Sequence, residues 1–431
     1  MQKNFQYIVL GLFIFFAVVG VAAFSLFGKF GGGKGDGPQA ELVVWGIGDE
    51  KAFAEFLGKI DVRAPGLLKL QYVRKSAEEF DQALIEALAS GVGPDMIILP
   101  QDRIARHRDK IYQIPYESLS ERDFKDSFVE EGELFMGTGG VYAVPFSLDP
   151  LVMYWNRDIF TNNSLSLPPT YWDEFFSKTI PLSEIDNSRN IKQSSVALGE
   201  YDNINNAKEI LSVLLLQTGN KIVTVENGRL VSVLSNNSED GVAIAESVLR
   251  FYTEFSNPSK EVYSWNKSLP QAKQAFLSGD LAIYFGFASE AFEIQSKNPN
   301  LNFDIALLPQ VRDGFKATFG KISGVAILKS SKYVGDAFLA IGILTSEESA
   351  LDYSSVSFLP PPRRKLLSKK PKDAIGAIFY ESAIISKGWI DPDREKSSGV
   401  FKKMVENVTS GRLKLSEAVD RASAELNSLI K

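Results

Sequence analysis

The sequence predicts an α/β protein of two lobes joined by chain crossings. Three observations point to that fold class. Strand and helix patterns alternate between residues 41 and 100, a polar joint interrupts an apolar run near residue 147, and 431 residues suffice for about two domains of ~100–200 residues each.

ELVVWGI (41–47) is an apolar run closed by Gly48-Asp49, read as a buried strand feeding a turn, with a helix from about Lys51. LKLQYVR (68–74) is a second strand. Ser76, with Glu79 three residues on, caps a helix over EEFDQALIEALAS that stops at Gly91, and GPDMIILP (93–100) is a third strand. Strand, helix, strand, helix, strand implies right-handed crossovers and a largely parallel sheet. Ligands sit beyond the carboxyl ends of the strands in such sheets. That rule selects Trp45 to Asp49, Pro100 to Asp102 with Gln101 between them, and Ser147 to Asp149.

Residues 139–175 are read as a crossing between lobes. VYAVPF is a strand, Ser147, Asp149 and Pro150 interrupt it, and LVMYW resumes an apolar stretch, so two strands meet at a polar joint. Asn156 to Phe160 forms a helical turn, Pro168 and Pro169 break the chain, and Thr170 caps a helix opening at Trp172. Further on, Ala207 to Leu216 has helical spacing and stops at Gly219, and KIVTVENGRLVSVL is a hairpin turning at Asn227-Gly228. A helix follows over GVAIAESVLRFYTEFS.

The N-terminus differs in kind. Tyr7 to Phe27 is 21 residues without a charge, and at 1.5 Å per residue such a helix reaches about 30 Å, enough to span a bilayer. It reads as an uncleaved anchor over residues 1–28. Cleavage after the small pair Val21 and Ala23 is the alternative. Gly-rich residues 29–40 form a flexible spacer.

The net charge of -6 argues against nucleic acid as the main partner. The chain has no cysteine and one histidine, His107, in the polar run RIARHRDK that reads as a solvated helix face. No nucleophile with a His partner, no H-E-x-x-H and no phosphate-binding glycine loop is present, so no catalytic residue, metal or cofactor is assigned.

VYAVPFSLD, Trp155-Asn156, Asp158-Ile159-Phe160, the Pro-Pro-Thr step and Trp172-Asp173-Glu174-Phe175 together resemble the extracellular solute-binding proteins of ABC importers. The similarity is to the sugar-binding branch that includes the maltose-binding proteins. YSWNKSLPQAKQAFLSGDLAIYFG, FDIALLP returning to the first lobe, GKISGVAILKSSK and FLPPPRRKLL as the last crossing extend it over nearly all of residues 41–431. The resemblance implies a two-lobe periplasmic-binding-protein-like fold of type II with three interlobe crossings. Residues 41–147 and 307–357 would form one lobe, and 150–305 and 358–431 the other. It also implies a monomer with a carbohydrate or other small polar solute in the cleft, and permease and ATPase subunits on other chains. A binding-only sensor and a glycoside-acting enzyme are the competing classes.

Pyranose faces pack on aromatic rings while their rims take hydrogen bonds. The candidate ligand residues are therefore Trp45, Tyr154, Tyr201, Trp265, Phe285 and Phe287, with Asp49, Gln101, Asp102, Ser147 and Asp149 as polar partners. Tyr201 and Trp265 rank first because they sit in polar stretches. Asp149 is read equally as a cap or hinge brace. Arg363, after the triple proline, is read as a ligand contact or a surface ion-pair partner. The branch often has Trp two residues after the glycine of YFGF, where this chain has Ala288.

Overall fold

The computed structural model describes residues 37–226, 229–237 and 241–430. The expected anchor at 1–28, most of the spacer and the Asn227-Gly228 turn lie outside these residues. No helix among the described residues is long and apolar enough to cross a membrane.

The first lobe begins with strand β1 (Leu42–Gly46), helix α1 (Glu50–Arg63), β2 (Leu70–Arg74), α2 (Phe80–Ala89) and β3 (Met96–Pro100). Asp49 caps α1 by accepting the N–H of Ala52 at 2.8 Å, and Phe53, Phe56 and Ile60 bury one face of the helix. The Ser76 hydroxyl takes the N–H of Glu79 before α2, and Gly91 ends that helix region with φ 69. β1 pairs in parallel with both β2 and β3.

The crossing is one strand, β4 (Val144–Asn156), and not two meeting at a joint. Pro150 is the last residue of β4 paired with β8 before Leu151 takes up the next strand, so its missing N–H falls at the end of a ladder and not inside one. Beyond it come β5 (Ile191–Val196), α3 (Ala207–Gln217), β6 (Leu281–Phe287), α4 (Glu290–Lys297), β7 (Phe303–Ala306) and β8 (Thr318–Leu328). Val144 to Pro150 pair with β8, and Leu151 to Trp155 pair with β6. β8 also pairs with β3, so a single sheet runs β2-β1-β3-β8-β4-β6-β5 through both lobes.

Two apolar cores lie on this sheet. Lobe one packs Leu42, Val44, Phe56, Phe80, Leu99, Phe146 and Ile322; lobe two packs Val152, Tyr154, Leu211, Tyr252, Trp265 and Phe276. Burying each large apolar side chain contributes about 1.5–3 kcal/mol against the conformational entropy lost on folding.

Three local expectations change. FDIALLP does not return to lobe one: β7 pairs with the lobe-two half of β4, and Leu308, Ala317 and Phe319 join the lobe-two core. The return is made by β8 between Phe319 and Ile322. Thr170 does not cap through its side chain; its backbone N–H donates to the Glu174 carboxylate at 2.9 Å, ahead of the 3-10 turn Trp172–Glu174.

After α5 (Glu347–Ser357), FLPPPRRKLL is not the last passage. Val129 donates to Pro362 and Leu367 packs in the lobe-one core, so the chain is still in lobe one there. Helix α6 (Ala374–Ile384) straddles the hinge, with Ala383 on the lobe-one core and Phe379 on that of lobe two. The passage follows in β9 (Ser386–Lys387), parallel to β8, and leads to α7 (Arg394–Thr409) and α8 (Leu415–Leu429) in lobe two.

Candidate functional site

Because β4 and β8 run side by side between the lobes, Ser147 to Pro150 and Gly320 to Ser323 form a floor with a lobe on each side. Two adjoining cavities open above it. One of about 210 Å³ is lined by Ile47, Gln101 and Asp102 from lobe one and by Lys208, Trp389 and Arg394 from lobe two, with Lys321 on the floor. The other, about 550 Å³, is walled by Ala77 and Glu78 on one side and by Tyr201, Asn205, Asn206 and Gln271 on the other. Ala77, Lys208, Glu209 and Arg394 line both, so the two are one cleft.

Ion pairs organise this cleft. The Lys208 ammonium, on the buried first turn of α3, lies 2.6 Å from Asp391 and 3.2 Å from the Ser397 hydroxyl, which itself donates to Asp391 at 2.8 Å. A buried charge requires such pairing. Across the gap, Arg394 Nε stands 3.4 Å from Asp102 Oδ2 and bridges the lobes, while Asp102 Oδ1 has no hydrogen-bond partner among the described residues. Burial pushes the Asp102 carboxyl up, against the pull of Arg394.

Of the candidate residues, Tyr201, Gln101 and Asp102 line the cleft. Tyr201 is half-buried, its hydroxyl shares a hydrogen bond with Ser398 at 2.8 Å, and burial raises its phenol. Gln101 is already engaged: Nε2 donates to the Gly320 carbonyl at 2.6 Å and to Glu131 at 3.1 Å, and Oε1 accepts from Ile322. Ser147 lies on the floor opposite Ser323. Asp149 is a brace, since Oδ1 accepts the N–H of Ser289 at 3.0 Å at the start of α4. Burial pushes its carboxyl to about 6.

The other positions serve packing. Trp265, Tyr154 and Phe285 are buried in the lobe-two core, where the Tyr154 hydroxyl donates to the Phe287 carbonyl at 2.6 Å. Trp265 sits in a polar stretch of sequence but bends inward, its backbone N–H donating to Phe255. The Phe287 ring carries the Lys321 ammonium at 3.5 Å, and the Trp45 ring carries that of Lys75 at 4.0 Å. Asp49 caps α1. Arg363 does not line the cleft and pairs with no carboxylate among the described residues: Nε donates to the Thr345 carbonyl at 2.6 Å and the guanidinium covers the Phe128 ring.

His107 is fully buried and bonded to Asp81 at 2.7 Å, not on a solvated face, because its helix turn packs on α2. Sequence reasoning missed Lys208, Asp391 and Arg394. A lysine at the start of the mostly apolar run Ala207 to Leu216 was the one available signal for the first, and nothing local marked the other two.

The profile of the bacterial extracellular solute-binding proteins matches residues 51–377. The chain belongs to that family. This solute-binding protein is 18% identical over 287 residues to a binding protein of Brucella abortus strain 2308, a match covering 65% of each chain, so it spans just under two thirds of that relative. It is similar in fold to a cyclo/maltodextrin-binding protein complexed with maltotetraose, at 16% identity and TM-score 0.71 over 92% of this chain and 98% of the other. An ABC transporter solute-binding protein from Thermotoga lettingae bound with α-D-tagatose gives 17% identity and TM-score 0.65 over 90% and 99%.

Proposed function

We propose that this protein captures a small polar solute, a carbohydrate in the first instance, between its lobes and presents it to an ABC permease by closing over it. The observation that carries this reading is the cleft of adjoining 550 and 210 Å³ cavities walled by both lobes. Ligand sites of this size are typical for small molecules, and a site shared by two bodies turns binding energy into lobe movement. Tyr201, Asn205, Asn206, Gln271 and Asp102 offer the donors and acceptors that hydroxyl groups require. The fold shared with maltotetraose- and tagatose-bound proteins supports the carbohydrate class. The apolar segment Tyr7 to Phe27 would hold the lobes at the outer membrane face, beside the permease.

Thermal unfolding of the purified chain against mono- and oligosaccharides, polyols and peptides tests this, because a ligand bound only by the native state raises Tm. A saturable rise with one sugar class is expected. A rise with another solute alone would overturn the carbohydrate assignment, and no rise with any would overturn solute capture.

A further inference from the structure

Glu131 lies in the 3-10 turn Glu130–Phe135 of lobe one, directly behind Gln101, and is 2% exposed. Its carboxyl group is wedged against two of the three passages. A Cβ at Gly320 in β8 would overlap Oε2, and one at Gly388, just beyond β9, would stand 2.9 Å from Oε1. Oε1 accepts from Gln101 at 3.1 Å, and Oε2 has no hydrogen-bond partner among the described residues. The same Gln101 amide holds β8 at Gly320 and Ile322. Glu131 thus supports the side chain that clamps β8 as it enters lobe one.

Among the described residues no cation stands within ion-pair distance of Glu131, although Lys221 and Lys387 line the same cavity of about 410 Å³. Lys387 on β9 is 2.9 Å from Glu130, Lys321 on β8 lies over Phe287, and Arg394 and Lys208 beyond Gln101 are paired with Asp102 and Asp391. Glu133, on its own turn, points to Lys125 at 3.8 Å.

We infer that Glu131 is a positioning residue for lobe closure: neutral, it holds Gln101 and two interlobe passages in the bridged arrangement seen here, and losing its proton releases them. This rests on the reading that the lobes move around a solute. Burial raises the carboxyl from the ordinary 4.5 to about 8, and its one hydrogen bond from Gln101 only partly opposes that. An arrangement that wets the group returns it to the ordinary range. From about pH 4.5 to about pH 8 the bridged form therefore keeps a proton that the released form gives up. The bridged form is favoured at the acid end and loses ground as pH rises, by at most about tenfold per pH unit for one proton.

The chain has no cysteine, so Glu55→Cys on α1 and Asp420→Cys on α8, both at exposed positions, place one spin label on each lobe. Interlabel distances in the full chain are then read by pulsed electron paramagnetic resonance from pH 4.5 to 8.5, with and without maltotetraose as probe. The expected result is a bridged population that falls with pH in the parent chain, with that fall lost or reversed in E131Q, whose amide cannot ionise, while Asp102 and Asp149 titrate alike in both chains. Two populations whose ratio ignores pH would overturn the role of Glu131 and leave solute-driven closure standing. A single unchanging distance under every condition would overturn closure and this inference together. If E131Q does not fold, the parent is compared with the D102N/D149N double variant: a fall with pH that persists without those two carboxyls supports Glu131, and one that disappears with them overturns its role.

Discussion

Lys208 shows how much of this site rests on single buried groups. Its ammonium has Asp391 and Ser397 as partners in a nearly dry setting, so Lys208→Met leaves a buried carboxylate unpaired. A stability loss of about 3–5 kcal/mol is expected in chemical denaturation, the range for breaking a buried pair from one side. Tyr201 and Trp265 separate binding from folding. Tyr201→Ala should weaken solute binding by ~1–3 kcal/mol with a small effect on Tm, because the ring lines the cleft. Trp265→Ala should lower stability by ~3–5 kcal/mol, because the indole fills the lobe-two core. Calorimetric titration and melting of the two variants check both; equal effects on folding would contradict the assignment of Tyr201.

At the scale of elements, the end of α5 adopts a backbone conformation that its residue would not choose. α5 ends at Phe358 with φ 59, a left-handed backbone that L side chains other than Asn and Asp rarely adopt. Its ring is 72% exposed and lies parallel to that of Phe292 on α4, itself 74% exposed, at 6.5 Å between centroids. One ring belongs to each lobe. Relief of the backbone strain makes Phe358→Gly stabilising by about 1 kcal/mol, while the interlobe ring contact is lost. Denaturant melts and interlobe distances in the variant test the two effects separately. Asp149 braces the same region by joining β4 to α4. Its carboxyl is raised by burial, so the folded state holds its proton more tightly than the unfolded chain. Stability from this group declines as pH rises from about 3.8 to about 6, and Asp149→Asn should flatten that part of the pH profile.

For the whole molecule, the Asp102–Arg394 pair and the Phe292–Phe358 contact bridge the lobes in addition to the three passages. Arg394 is half-exposed, and such a pair contributes ~0–1 kcal/mol. Arg394→Ala should therefore move the bridged population by no more than about fivefold, seen as a modest rise in radius of gyration by small-angle scattering. A change far larger would mean that Arg394 holds more than this pair.

The sequence alone determined the kind of protein. Apolar period and capping residues placed β1, α1, β2, α2 and β3, since such patterns depend only on neighbours along the chain. The crossing at Ser147 to Pro150 was also legible, because proline and polar groups inside an apolar run are costly unless the strand changes partners there. The site was only partly legible. Tyr201, Gln101 and Asp102 reach the cleft, whereas Trp265, Phe285 and Tyr154 turn into the core, and no local pattern states which side of a fold an aromatic ring faces. The third passage, the Lys208–Asp391 pair, the Asp102–Arg394 bridge and the wedge of Glu131 between Gly320 and Gly388 were decided by tertiary structure. The three side-chain meetings each join residues more than 180 positions apart, and all four features exist only once both lobes have folded around their shared sheet.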